Sequence, residues 1–269
     1  MSNRPVRCKR EEIVRPAIRQ DSVGNNLAET GVFGTMNVSC VVVIAGVLSL
    51  CGCTVNTAVG PAHNDFSVFE RDDAESLKVN LRMGAGEVRV GSGTEKLARA
   101  DFLYNIAEWK PSVRYSNTAR RGLLNIEQPS THGTPAGNVK YEWDLRLNRD
   151  VPIDLEAHLG AGSATLDLGG LTIQNADINM GVGELKMDLR GQPKRDYSVH
   201  IQGGVGEATV HLPADVGIYA EASGGIGEIS ATGLRREDGH FRNDAYGHAK
   251  TTIRLNVKGG IGSIRLVAE

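Results

Sequence analysis

Aromatic residues make up only 5% of this 269-residue chain, and no cysteine follows Cys53. All four cysteines, Cys8, Cys40, Cys51 and Cys53, lie near the N-terminus, which excludes a disulfide framework or a thiolate zinc site in the body of the protein. Charge of neither sign dominates. A formal net charge of −2 leaves no basic footprint, so nucleic acid is not an expected partner. No apolar run reaches the ~20 residues that a membrane-spanning helix needs. Catalytic signatures are missing too: there is no P-loop, no HExxH and no GxSxG. The histidines are dispersed, and His158, His200 and His211 read as solvent-facing strand residues that share a face.

The strongest apolar run, Val38–Leu50, has 13 residues, the length of a signal-peptide h-region. It ends in Leu50-Cys51-Gly52-Cys53, which resembles a bacterial lipobox. The expectation is cleavage before Cys53, whose thiol then carries a diacylglycerol. Plain secretory cleavage and a retained anchor are the alternatives. Lys and Arg are absent between Arg19 and Arg71, so Met36 competes with Met1 as the translation start. Residues 1–52 then form a leader and 53–75 a tether, and the body faces the periplasm or the exterior, held at the membrane by its lipid.

Glycine is abundant, at 33 residues, and much of it is ordered. A Gly-x-Gly motif, mostly followed by Glu, starts at Gly84, Gly160, Gly181, Gly204, Gly225 and Gly260. The intervals from Gly160 onward are 21, 23, 21 and 35 residues, and the first gap is 76. A period near 21 predicts stacked rungs, with insertions in the two long intervals. Apolar residues alternate with polar ones on both sides of each motif, as at Ile153, Leu155, Ala157 and Leu159, then Ala164, Leu166 and Leu168. That is the pattern of half-buried strands. The alternation slips by one residue at each motif, which marks a bulge or corner. The middle residues keep the phase of the preceding strand, so Ala161, Val182, Val205, Ile226 and Ile261 are expected as an inward column.

The fold expectation is all-β: a parallel β-solenoid of GxGE-punctuated rungs about 21 residues long, with an inserted antiparallel β cap. Five rungs at ~4.8 Å give a body roughly 24 Å long. Its parts would be an N-terminal β domain over 76–150 and solenoid rungs over 151–269. The charged excursion Arg235–Lys250 is expected to be exposed, and Ile264–Val267 to be an edge strand open to another subunit.

Leu77–Val90, Asp101–Ser116, Gly122–Pro129 and Glu142–Leu168 together resemble the N-terminal toast-rack domain of bacterial envelope proteins. The later GVGE, GIGE and GGIGSIRL copies are similar to the LiaF-like and adhesin-like families that share this solenoid. The resemblance spans about Ser76 to Glu269. It implies the fold and an envelope location, with no catalytic residues to carry over. LiaF-like proteins are associated with sensing or restraining envelope stress. This chain departs from them in carrying a lipobox instead of several transmembrane helices.

Two patterns remain as candidate sites. Glu184, Glu207 and Glu228 occupy equivalent outward positions, flanked by Ser163 and Ser263. Stacked carboxylates repel unless neighbouring bases or backbone N–H groups compensate, or a hard cation does. Trp109 and Trp143 fall in the inserted segment, as a carbohydrate or peptide platform or as the core of the cap. No motif fits GxGxxG, no residue set specifies a metal, and no cofactor is expected. Two functional classes follow. One is a non-enzymatic envelope scaffold whose partner is an envelope protein or cell-wall polymer. The other is a β-helical carbohydrate-active enzyme or carbohydrate-binding adhesin. The sequence does not specify an oligomeric state.

Overall fold

The computed structural model describes residues 56–130 and 134–269; the expected leader and lipobox, with Cys53, lie outside the described residues. Its strands begin with β1 (Asn56–Ala58), β2 (His63–Phe69), β3 (Ser76–Ser92), β4 (Ala98–Tyr104), β5 (Ser112–Thr118), β6 (Arg121–Glu127), β7 (Thr134–Ala136) and β8 (Tyr141–Leu147). They continue with β9 (Ile153–Asp167), β10 (Ile173–Asp188), β11 (Tyr197–Leu212), β12 (Gly217–Ser223), β13 (Ile226–Thr232), β14 (Arg235–Glu237), β15 (His240–Arg242), β16 (Thr252–Lys258) and β17 (Ile261–Ala268). One 3₁₀ turn, Ala107–Trp109, is the only helical element among the described residues.

β3, β9, β10 and β11 run for 15 to 17 residues, and each is bent at its Gly-x-Gly into a first and a second limb. β12 with β13, and β16 with β17, trace the same path but are interrupted at the bend. The rungs stack in parallel and stay in register through the bend. The third position of each motif lies at φ between +130° and +148°. A Cβ there would also overlap a neighbouring backbone carbonyl, that of Tyr141 at Gly86 and that of a glycine on the adjacent rung elsewhere, as Gly206 with Gly183. Glycine is therefore required twice over, by conformation and by close approach.

Inward residues of both limbs meet in one apolar core, and Leu155, Ala157, Ala164 and Leu166 are each 2% exposed or less. The slip in alternation is present: Ala164, Leu185 and Ile264 are buried three residues after their motif's middle position. The middle residues themselves overturn the expectation of an inward column. Val182, Val205, Ile226 and Ile261 are 46–72% exposed, and Ala85 and Ala161 are exposed as well. The chain turns there, and the space between the limbs is already taken by Met83, Leu159 and Met180, each just before its motif and at most 8% exposed.

The spatial order of rungs also departs from the order in sequence. The stack runs β12/β13, β16/β17, β11, β10, β9, β3, so the Gly260 rung sits between those of Gly204 and Gly225. The terminal strand is therefore interior, and the open edge of the second limb is β13. The excursion after β13 explains this: the β14–β15 hairpin pairs antiparallel against β12, and the chain returns to insert β16 and β17. Part of that excursion is buried rather than exposed. Asn243, 5% exposed, accepts from Ile218 N–H at 2.9 Å and donates to the carbonyls of Ala214 and Val216.

At the other end β3 pairs with β6 along its first limb and with β8 along its second, both parallel. From there the sheet turns antiparallel, through β5 on one side and through β4 and β2 on the other. This is the inserted cap. β2 lies within the stretch assigned above to a tether, because alternating Phe66, Val68 and their neighbours pair fully with β4. One sheet and one core run through residue 150, from 76–150 into 151–269.

Candidate interaction surface

The bends stack into an apex ridge. In spatial order its outward residues are Ala85, Ala161, Val182, Val205, Ile261 and Ile226, each paired in register with the next. At ~4.8 Å per rung this gives an aliphatic line about 24 Å long. Side-chain size rises along it from alanine to isoleucine, and the largest group, Ile226, is also the most exposed at 72%. Isolated exposed apolar residues are ordinary on a protein surface, whereas a contiguous line of them is a feature of interaction sites.

The ridge is flanked by the glutamate ladder on the second limb. Glu184 and Glu207 pair directly, but Ser263 separates Glu207 from Glu228, because the Gly260 rung is inserted there. Bases two residues on neutralise most of the column. Lys186 Nζ is 2.7 Å from Glu184, Arg265 is 2.6 Å from Glu207, and Arg89 bridges Glu87 and Glu142. The hydrogen bond it donates to Glu184 raises the Lys186 pKa, and the one donated to Glu142 raises the Arg89 pKa. Such exposed pairs are worth at most about 1 kcal/mol. Among the described residues Glu228 makes no ion pair: Arg265, on the neighbouring rung, is engaged by Glu207. Among the described residues no group of three or more His, Cys, Asp or Glu is placed to hold a metal ion.

Trp109 and Trp143 are buried, at 8% and 2% exposure, on either side of Tyr141. They pack in the core of the cap, and the edge of Trp109 reaches the wall of a neighbouring groove. Beside this core, Tyr104 donates to Asp65 at 2.7 Å. Burial, then that hydrogen bond, pushes the Tyr104 pKa up to about 12. A broader open groove, about 990 Å³, of mixed polar and apolar lining, includes Arg82, His158, Asn179 and Gln202 together with Trp109 and Met83. His158 and His200 lie on first limbs, while His211 lies on a second limb against Glu269, so the three do not share a face.

The ridge was missed by sequence reasoning because its residues keep the inward phase. The available signal was the residue before each motif: Met83, Leu159 and Met180 already fill the inward position there.

A mostly parallel β-solenoid with a capped end is consistent with the toast-rack fold. The chain belongs to the toast-rack family: the model for the N-terminal domain of toast_rack matches residues 58–211. A second model, cell wall-active antibiotics response LiaF, C-terminal, matches residues 169–266. Among crystal structures, a "putative cell adhesion protein" from Clostridium sporogenes is 32% identical, with a TM-score of 0.74. The match covers 78% of this chain and all of that one. A "putative adhesin" from Bacteroides fragilis is 10% identical, with a TM-score of 0.29 over 77% of this chain and 97% of its own. Comparison with curated proteins gave no significant match. No helix among the described residues is long and apolar enough to cross a membrane.

Proposed function

We propose that this chain is a non-enzymatic, lipid-anchored binding protein of the bacterial cell envelope, whose apex ridge docks another envelope protein. The observation that carries the reading is the aliphatic line itself: four branched side chains, 46–72% exposed, in register on neighbouring rungs. Similarity to a cell adhesion protein over the whole of that protein's length supports a binding role. A link to envelope stress sensing rests on the LiaF-type match over 169–266. A second reading, a carbohydrate-binding adhesin, is favoured by the open groove that His158, Asn179 and Gln202 line together with Trp109.

Photo-cross-linking in native cells separates these readings. A benzophenone side chain at position 205 should give a discrete protein adduct, and one at position 179 should not. Adducts from 179 to glycan polymer, with none from 205, would replace the ridge reading with the carbohydrate one. Anchoring is tested on its own. The native chain should begin at Cys53 with a diacylglycerol-sized mass increment, and Cys53→Ala should leave the membrane fraction. An unlipidated native chain in the soluble fraction contradicts the anchor.

A further inference from the structure

The ridge is not uniform beneath its surface. In the β3, β9 and β10 rungs the space under the apex is filled from within by Met83, Leu159 and Met180. The Met180 methyl group lies 2.7 Å from where a Cβ on Gly183 would stand, and Met83 sulfur 3.0 Å from that of Gly86, so both tuck beneath the third glycine. In the next three rungs the equivalent residues are Gly203, Gly259 and Gly224. Ile264 and Ile229 reach back over two of these, with Cδ1 atoms 3.2 Å and 3.8 Å from the Cβ positions of Gly259 and Gly224. The β11 rung has no such substitute. Its residue in register with Leu185 and Ile264 is Ala208. An apolar cavity of about 70 Å³ lies there, lined by Met180, Leu185, Ile201, Val257 and Ile264, with Ile229 of the edge rung and the ridge residues Val205 and Ile261 also in its wall.

Gly203 is not glycine for want of room: the nearest heavy atom to a Cβ there is the Lys258 carbonyl oxygen, 3.9 Å away. Its backbone is also not in the left-handed region. Resting on the reading that the ridge binds a protein, we propose that this cavity is a socket for one aliphatic side chain, leucine or methionine, of a partner polypeptide. The internal repeat itself shows what fits, since Leu159 and Met180 occupy the same place in neighbouring rungs. Size agrees. The cavity is about half the ~150 Å³ that admits benzene. It takes the end of one side chain, not a ring or an acyl chain. Glu207 and Glu228 line the same cavity. Glu207 is paired with Arg265 while Glu228 is unpaired, so the partner's aliphatic residue stands beside a lysine or arginine.

Two probes test the socket on the full chain. Under xenon pressure the methyl resonances of Met180, Leu185 and Ile264 should shift, and Gly203→Met, which supplies the missing plug from within, should abolish the shifts. In cells, Gly203→Met should lower the protein adduct from position 205 by about tenfold or more, the loss expected for one buried aliphatic side chain. Ala208→Leu fills the cavity from the other limb and should do the same, which guards against misfolding of the first variant. The cross-linked peptide should carry leucine or methionine next to a basic residue. Undiminished adduct in both filled variants overturns the socket and leaves the ridge reading standing. Absence of any protein adduct overturns both. An adduct between two copies of this chain overturns the proposed partner.

Discussion

Gly206→Ala should leave almost no folded protein, whereas Gly203→Ala, three residues away, should fold as well as the parent. The two glycines sit in the same rung and differ in what surrounds them. Gly206 is at φ +144°, and an added Cβ would overlap the Gly183 carbonyl on the neighbouring rung. An alanine there costs about 1–3 kcal/mol in backbone conformation alone. The overlap is with backbone held by a parallel ladder on both sides, so it is relieved only by separating β10 from β11. The expected loss exceeds about 4 kcal/mol, a large part of the stability of an ordinary domain. At Gly203 the added methyl meets open space, and lower entropy of the unfolded chain gives a gain of about 0.4–1 kcal/mol. Denaturant midpoints check the pair; equal midpoints would show that the rungs do not approach as closely as described.

Trp143→Ala should cost about 3–5 kcal/mol, as expected for truncating a fully buried aromatic. Trp143 sits where the stack changes from parallel to antiparallel, paired with Val88 on β3 and Phe102 on β4. Its ring packs edge-on against Phe102 at 6.0 Å and tilted against Tyr141 at 5.7 Å. The cap and the rungs share one core through β3, so loss of the indole should lower a single unfolding transition. In a stack, each rung is stabilised by its neighbours, and removing the terminal cover weakens the whole array. A separate early transition, with the rungs melting at the parent's temperature, would contradict the shared core.

The repeat, the parallel stacking, the all-β class and the antiparallel cap were legible because alternation and glycine spacing are local properties. The slip at each motif was legible for the same reason. Rung order was not. It depends on the β14–β15 hairpin folding back over β12, where Arg242 lies 5.5 Å over the Tyr219 ring and His240 packs 4.8 Å from it. A period in sequence gives the size of a rung but not its place in the stack. The direction of the ridge was misread because alternation fixes the phase along a straight strand and says nothing of a turn within it. Glu228 was placed beside Glu207 by the same assumption of sequential order, and Ser263 lies between them. Burial of the two tryptophans was one of two open readings, since composition does not distinguish a platform from a plug.

Disulfide trapping along the ridge tests the account most directly, because the body has no native cysteine after Cys53. Val205 and Ile261 are partners in register, within the 4.4–6.8 Å Cα separation that a disulfide spans, whereas Val205 and Ile226 stand two rungs apart, ~9.6 Å. Val205→Cys with Ile261→Cys should cross-link readily in the folded chain, and each cysteine alone should react quickly with a maleimide. Val205→Cys with Ile226→Cys should not cross-link. The reverse pattern, or slow labelling at all three positions, would put these residues back inside a sequentially ordered stack and remove the ridge.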